Sequence, residues 1–228
     1  MRVALKSIAG ILMQAAIFVG LLLLPARAWT WWRAWVFIAV MAGTGAAISI
    51  GVFRRRPDLL DERFKPPIQR GQPSADRVVL ILLVSTFCGA FVFIPLDVFR
   101  FHLLGKPGPL VSALGLALIA GSAVLMYLSF QENAFAAPVV RHQSERGHTV
   151  IDTGVYSVVR HPLYASGILL MIGVPLWLGS YAAVLLAGVP VAWVLLRIRI
   201  EERFLRRELE GYDAYTRRVR HRLIPRVW

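Results

Sequence analysis

The chain has 228 residues, of which 57% are hydrophobic and only 17% charged, with a mean hydropathy of +0.61. A soluble domain carries roughly 25% charged residues, so the composition excludes an ordinary soluble enzyme and points to one polytopic membrane domain. The net charge of +13 lies in blocks beside apolar runs, with no basic fold motif that reads nucleic acid. The charge is therefore read as facing anionic headgroups, and no nucleic-acid partner is expected.

The first apolar run, Ile8–Leu24, follows Arg2 and Lys6 and is closed by Pro25. A signal peptide would have that start, but no clear small-residue cleavage site precedes a soluble domain. The run is taken as a first transmembrane helix that is retained. Trp29, Trp31, Trp32 and Trp35 follow, and amphipathic indoles of this kind mark a membrane interface. A second run covers about Trp31 to Phe53, with Gly43, Gly45 and Gly51 as candidates for close helix packing. The polar stretch Arg54–Arg77 holds seven Lys/Arg against four Asp/Glu and four prolines, which argue against a long helix. A third run is Val78–Leu96, with Cys88, the one cysteine, inside it. No disulfide framework or Cys-rich metal site is possible within the chain, and no metal is expected. A loop from Asp97 to Pro109 leads to a fourth run, Leu110–Phe130.

The remainder, 131–228, reads differently from the four spans of 1–130. A polar island, Gln131–His161, is followed by a hydrophobic hairpin of about Leu163–Gly179 and Tyr181–Leu196, with Gly179 and Ser180 at its tip. Each arm is short for a full crossing, so five or six spans are expected. A second island begins at Arg197, and the stretch 197–228 carries ten Lys/Arg against five Asp/Glu. The loops richest in Lys/Arg are 54–77, 131–161 and 197–228. If these are cytoplasmic, the spans alternate without conflict and both islands share that face. The expectation is an all-α, multi-pass membrane bundle whose two islands meet in one cytoplasmic-face site.

Within the first island, Thr153 and Gly154 mark a turn. His161 precedes Pro162 and is biased away from helix, while Pro162 suits a first helical turn. Arg160, His161 and Tyr164 then surround a helix entrance, where free N–H groups favour an anion. In the second island, Arg197 and Glu201 share a helix face and Glu202 is adjacent. Carboxylates at the end of a membrane helix are costly unless paired or functional. Arg206, Arg207, Arg217, Arg218, Arg220 and Arg222 are read as a solvated or headgroup-facing surface.

Thr153, Gly154, Tyr156, Arg160, His161, Pro162 and Tyr164 form the pattern T-x-G-x-Y-x-x-x-R-H-P-x-Y. A hairpin separates it from the pair Glu201-Glu202 and from Gly211, Tyr212, Tyr215, Ile224 and Pro225. In these features the chain resembles the isoprenylcysteine carboxyl methyltransferase family and its relatives, the membrane phospholipid methyltransferases. The resemblance spans about Gln131–Trp228.

It implies S-adenosylmethionine as methyl donor and S-adenosylhomocysteine as product. It places His148, Thr149, Val150 and Ile151 along the cofactor, with Tyr156, His161, Pro162, Leu163 and Tyr164 as further contacts. Arg141 falls where the eukaryotic enzymes have a Gln contact. Arg197 and Glu201 match the groups near the reacting end and the acceptor. The residues agree with that chemistry. Arg160, or N–H groups near His161, suit the donor's carboxylate, Glu201 or Glu202 its ammonium, and Tyr156 or Tyr164 its sulfonium. Arg197 would bind a carboxylate acceptor, whereas Glu201 or Glu202 would take a proton from an amine or thiol. A lipophilic or small acceptor is expected, a carboxylate favoured. The alternatives are an N- or S-methyltransferase of amines, phospholipids or thiols, an NADPH-dependent sterol-reductase-like enzyme with a similar R-H-P-x-Y region, or a membrane protein whose site has decayed.

Overall fold

The computed structural model describes residues 1–69, 71–141 and 143–228. It is 73% helical, with no strand among the described residues. Helix α1 is Arg2–Ala26 and α2 is Trp32–Ile48, prolonged by a π-helical turn Ser49–Phe53. The short α3, Pro57–Arg63, is the only helix that forms between the prolines of the polar stretch among the described residues. Helix α4 is Ser74–Leu96, prolonged by the π turn Asp97–Phe101, and α5 is Pro109–Glu132. Then come α6 (Pro162–Leu178), α7 (Tyr181–Leu186), α8 (Gly188–Glu208) and α9 (Tyr212–Arg218).

Among the described residues, five runs are long and apolar enough to cross a bilayer: Arg2–Ala26, Trp32–Phe53, Ser74–Phe101, Pro109–Glu132 and Tyr181–Glu208. The chain is an integral membrane protein of all-α architecture. Helix α6 has 17 residues, or about 26 Å at 1.5 Å per residue, which falls short of a hydrocarbon core of about 30 Å. The two hairpin arms are thus unequal, because the second continues through the charged island to Glu208.

One expected boundary shifts. Asp97 belongs to the helical run rather than to a loop, and it is 2% exposed. It accepts hydrogen bonds from Ser180 Oγ at 2.6 Å and Leu103 N at 2.9 Å, so a polar residue is absorbed because its partners are supplied locally. The hairpin tip forms at Gly179, whose φ of +103° suits glycine.

Helices α5 and α6 pack antiparallel with backbones in contact. A Cβ on Gly115 would sit 2.5 Å from Trp177 N, and one on Gly173 would sit 2.8 Å from Gly115 O. Two turns along each helix, buried Ser122 donates to Ser166 O at 2.7 Å. Small residues permit this approach where lipid gives helices no hydrophobic reason to associate. Gly45 and Gly51 of α2 also meet close neighbours, Ile11 and Tyr127, whereas Gly43 meets nothing within 4 Å. The main apolar core joins α1, α2, α4, α5 and α6 around Phe18, Phe37 and Phe91. At one end of the bundle Arg33 and Trp177 exchange hydrogen bonds of 3.0 and 2.8 Å. Trp29, Trp32 and Trp35 are exposed there, while Trp31 is buried.

Gly173→Leu forces the α5–α6 backbones apart and should destabilise the detergent-solubilised protein by at least about 1–3 kcal/mol. Gly167, on the same helix, has nothing within 4 Å of its added Cβ, so Gly167→Ala should leave the melting temperature unchanged or raise it. Thermal unfolding of both variants checks the contrast.

Candidate functional site

The entrance of α6 is built by the chain before it and by the tail after α9. Gly154 takes φ +52°, and a Cβ there would lie 2.5 Å from the carboxyl of Glu132. Thr153 Oγ1 also donates to Glu132 at 2.6 Å. The turn is therefore clamped on the end of α5, and Gly154 faces that clamp. His161 caps α6 and Pro162 occupies its first turn, as the residues predict. The amides of Arg160 and His161 are not free, however. They donate to His221 O and Arg222 O, both at 2.9 Å, because the tail folds back and supplies acceptors. The first unclaimed turn of the α6 N-terminus starts beyond Pro162, which has no N–H.

Helix α8 carries the second island against this entrance. Glu202 is 4% exposed, and its Oε1 accepts from Arg160 Nε at 2.8 Å and lies 3.1 Å from His161 Nε2. Its Oε2 accepts from Arg222 Nε at 3.0 Å. Arg160 Nη1 is further committed to Val219 O and Arg220 O, at 2.7 and 2.9 Å. Arg222, read from sequence as surface, thus belongs to this cluster and stacks on Trp228. No salt bridge joins Arg197 to Glu201, although they share a helix face. Arg197 Nε donates to Asp76 at 2.8 Å and Nη2 to Pro138 O at 2.7 Å. Asp76, on α4, is fully buried and closer to the guanidinium than Glu201 is. Glu201 instead accepts from Tyr164 OH at 2.6 Å, and makes no salt bridge among the described residues.

Between these elements lies a cavity of about 350 Å³. Of the residues singled out in the sequence, Arg141, His148, Thr149, Val150, Ile151 and Tyr156 line it. So do Arg160, His161, Leu163, Tyr164, Arg197 and Glu201. Gly154, Pro162 and Glu202 stand behind the wall. The stretch 133–143 adds Asn133, Phe135 and Gln143, and the tail adds Tyr212 and Tyr215. None of these was singled out as a ligand contact. The G-Y-x-x-Y pattern held the clue for the two tyrosines, and the polar residues closing the fourth apolar run held it for Asn133.

The wall residues 133–141 and 143–146 are strapped down by polar contacts. Gln143 Nε2 donates to Phe135 O at 2.7 Å and Val140 N to Asp76 at 3.1 Å. Arg141 bridges Glu62 of α3 and Glu145, at 2.9 and 2.6 Å. The ring of His148 lies 4.5 Å from that of Phe135. Tyr156 accepts from Asn133 Nδ2 at 3.1 Å, and Tyr215 OH donates to Tyr156 O at 2.8 Å. Burial pushes the phenols of Tyr156, Tyr212 and Tyr215 up, which keeps them neutral. Burial alone would raise the Glu62 carboxyl as well, but hydrogen bonds from Lys65 and Arg141 outweigh it and hold the group below its ordinary value of 4.5.

The cavity wall presents one carboxylate without a salt bridge among the described residues, Glu201, beside the tyrosines Tyr156, Tyr164, Tyr212 and Tyr215. No group of three or more His, Cys, Asp or Glu side chains capable of holding a metal occurs among the described residues. Comparison with known families supplies the remaining observation. Residues 110–210 match the phospholipid methyltransferase family. The match bears out the resemblance at the level of a membrane methyltransferase family. It begins earlier than the motif-bearing stretch, taking in α5, and stops before the tail. Comparison with curated proteins finds no match.

Two outcomes follow. Glu202→Ala leaves Arg160 and its neighbours without their carboxylate, and loss of one partner of a buried pair costs about 3–5 kcal/mol, so thermal unfolding should show a large drop. Glu62 has a depressed folded value, so the stability it adds is full above 4.5 and is lost as pH falls through the lower folded value. The gap in melting temperature between the unmodified chain and Glu62→Gln should accordingly close on acidification.

Proposed function

We propose that this protein is an S-adenosylmethionine-dependent methyltransferase of the membrane, acting on a lipophilic or small acceptor, with a carboxylate acceptor favoured. The observation that carries the reading is Glu201. It is a carboxylate on the wall of a 350 Å³ cavity, held by the Tyr164 hydroxyl and without a salt bridge among the described residues. A carboxylate at the end of a membrane helix is costly without an ion-pair partner in contact, and a cationic ligand offsets that cost. The cavity falls within the size range of small-ligand sites, about 300–1,000 Å³, and its tyrosines offer π faces to a cation. The match to a methyltransferase family supports a methyl donor as that cation.

The residues present fit that donor. Glu201, oriented by Tyr164, would hold its cationic end. Tyr156, Tyr212 and Tyr215 would line its length and keep water away, and Thr149, Val150 and Ile151 would flank it. Beyond Pro162, the N-terminal turn of α6 at Leu163 and Tyr164 offers backbone N–H groups to a carboxylate. Arg160, with Nε and Nη1 already engaged, serves first to join the islands. When bound, S-adenosylmethionine supplies an electrophilic methyl group on its sulfonium. The protein's part is alignment and exclusion of water rather than a strong acid or base. Arg197 is placed to receive an acceptor carboxylate; with an amine or thiol, Glu201 would take the proton. The basic stretches beside the cavity support a cytoplasmic orientation. The division of labour we favour sets 1–130 as transmembrane frame and 131–228 as the main donor-binding region.

Calorimetric titration of the detergent-purified protein with S-adenosylhomocysteine and, separately, NADPH tests the reading. Binding of the first and not the second is expected. Glu201→Gln should weaken S-adenosylmethionine binding at least about tenfold, the effect of losing one charge-assisted contact of roughly 1.4 kcal/mol. Binding of NADPH alone, or no binding by the folded protein, would overturn it.

A further inference from the structure

Asp76 lies on α4, outside the stretch 110–210 that matches the methyltransferase family. It is 0% exposed, in a chain where buried carboxylates are expensive. Its two oxygens gather three separate segments. Oδ1 accepts from Arg197 Nε on α8 at 2.8 Å. Oδ2 accepts from Gln72 Nε2 at 2.7 Å and from Val140 N, in the cavity wall, at 3.1 Å. Arg197 is held on its other side by Pro138 O and lies over the Tyr164 ring at 5.8 Å. With Nε and Nη2 fixed, Nη1 is the guanidinium nitrogen of Arg197 that makes no hydrogen bond among the described residues, and the side chain lines the cavity.

We infer that Asp76 is a positioning residue: it fixes the plane of the Arg197 guanidinium so that Nη1 addresses the bound ligands, and it cancels the guanidinium's charge where a cationic methyl donor must bind. The inference rests on the proposed function. Two consequences distinguish it from a merely structural role. Donor and demethylated product differ by one unit of charge, since the sulfonium becomes a thioether. A wall without the Asp76 charge therefore penalises S-adenosylmethionine relative to S-adenosylhomocysteine. A wall without the Arg197 charge does the opposite.

The test is equilibrium binding of both compounds to the full-length detergent-purified chain, as it stands and as Asp76→Asn, Arg197→Met and the double variant. The ratio of the two dissociation constants, donor over product, should rise roughly tenfold in Asp76→Asn. That is the effect of leaving the Arg197 guanidinium uncompensated on the wall of a cavity that holds a cation. It should fall by a similar factor in Arg197→Met and return towards the original value in the double variant, which is again neutral. If Asp76→Asn does not fold, Arg197→Met and the double variant still carry the test. An unmodified chain that binds neither compound overturns the proposed function, and this inference with it. A chain that binds both, with a ratio unmoved by the variants or moved in the same direction by all three, overturns the role of Asp76 alone.

Discussion

The site depends on one buried carboxylate. Glu202 sits on a helix that leaves an apolar bundle, in surroundings where an ionised group must be paired. It takes two guanidinium donors and faces the His161 ring, from the α6 entrance and from the tail. These contacts bring sequence positions 160, 202 and 222 to one point. Once they are joined, Glu201, about 100° around α8 from Glu202, faces Tyr164 and the cavity. Adjacent acidic residues thus acquire different tasks, one holding the wall and the other facing what the wall encloses.

A second constraint acts from the opposite side. The α5–α6 pair is locked by the approach of Gly115 and Gly173, which fixes the α6 entrance relative to the end of α5. Glu132 at that end then receives the Thr153–Gly154 turn. The cavity is accordingly framed by rigid helix ends, while its outer wall, 133–141 and 143–146, is held by side-chain contacts to α3 and α4. Those contacts include Arg141 with Glu62 and Val140 with Asp76. The arrangement suits a ligand that needs alignment and dryness more than it needs acid or base.

Much of this was legible in the residues. Runs of apolar sequence located the long helices, because length and hydropathy alone decide whether a helix can span. Pro162 and Gly154 marked the α6 entrance and the turn before it, since each restricts the backbone in a known way. The meeting of the two islands was also expected. What stayed hidden was the partners. The i, i+4 spacing put Glu201 on the face of Arg197, yet the salt-bridge partner of Arg197 is Asp76, more than a hundred residues away. It had been counted with a polar loop although it opens an apolar run. The fold-back of the tail was equally hidden, so the Arg160 and His161 amides looked free and Arg222 looked like surface. Contacts between distant segments leave no local period or spacing to read.

In the proposed function, one methyl-donor cavity is enclosed by the α6 entrance and the chain before it, the α8 end and the tail tyrosines. Photo-crosslinking with S-adenosylmethionine labelled in its methyl group, followed by mapping of the labelled peptides, tests it most directly. The account predicts label in peptides from 133–164 and 197–215, competed away by unlabelled S-adenosylhomocysteine. Competable label confined to α1 or α2, or no competable label on the folded protein, would contradict it.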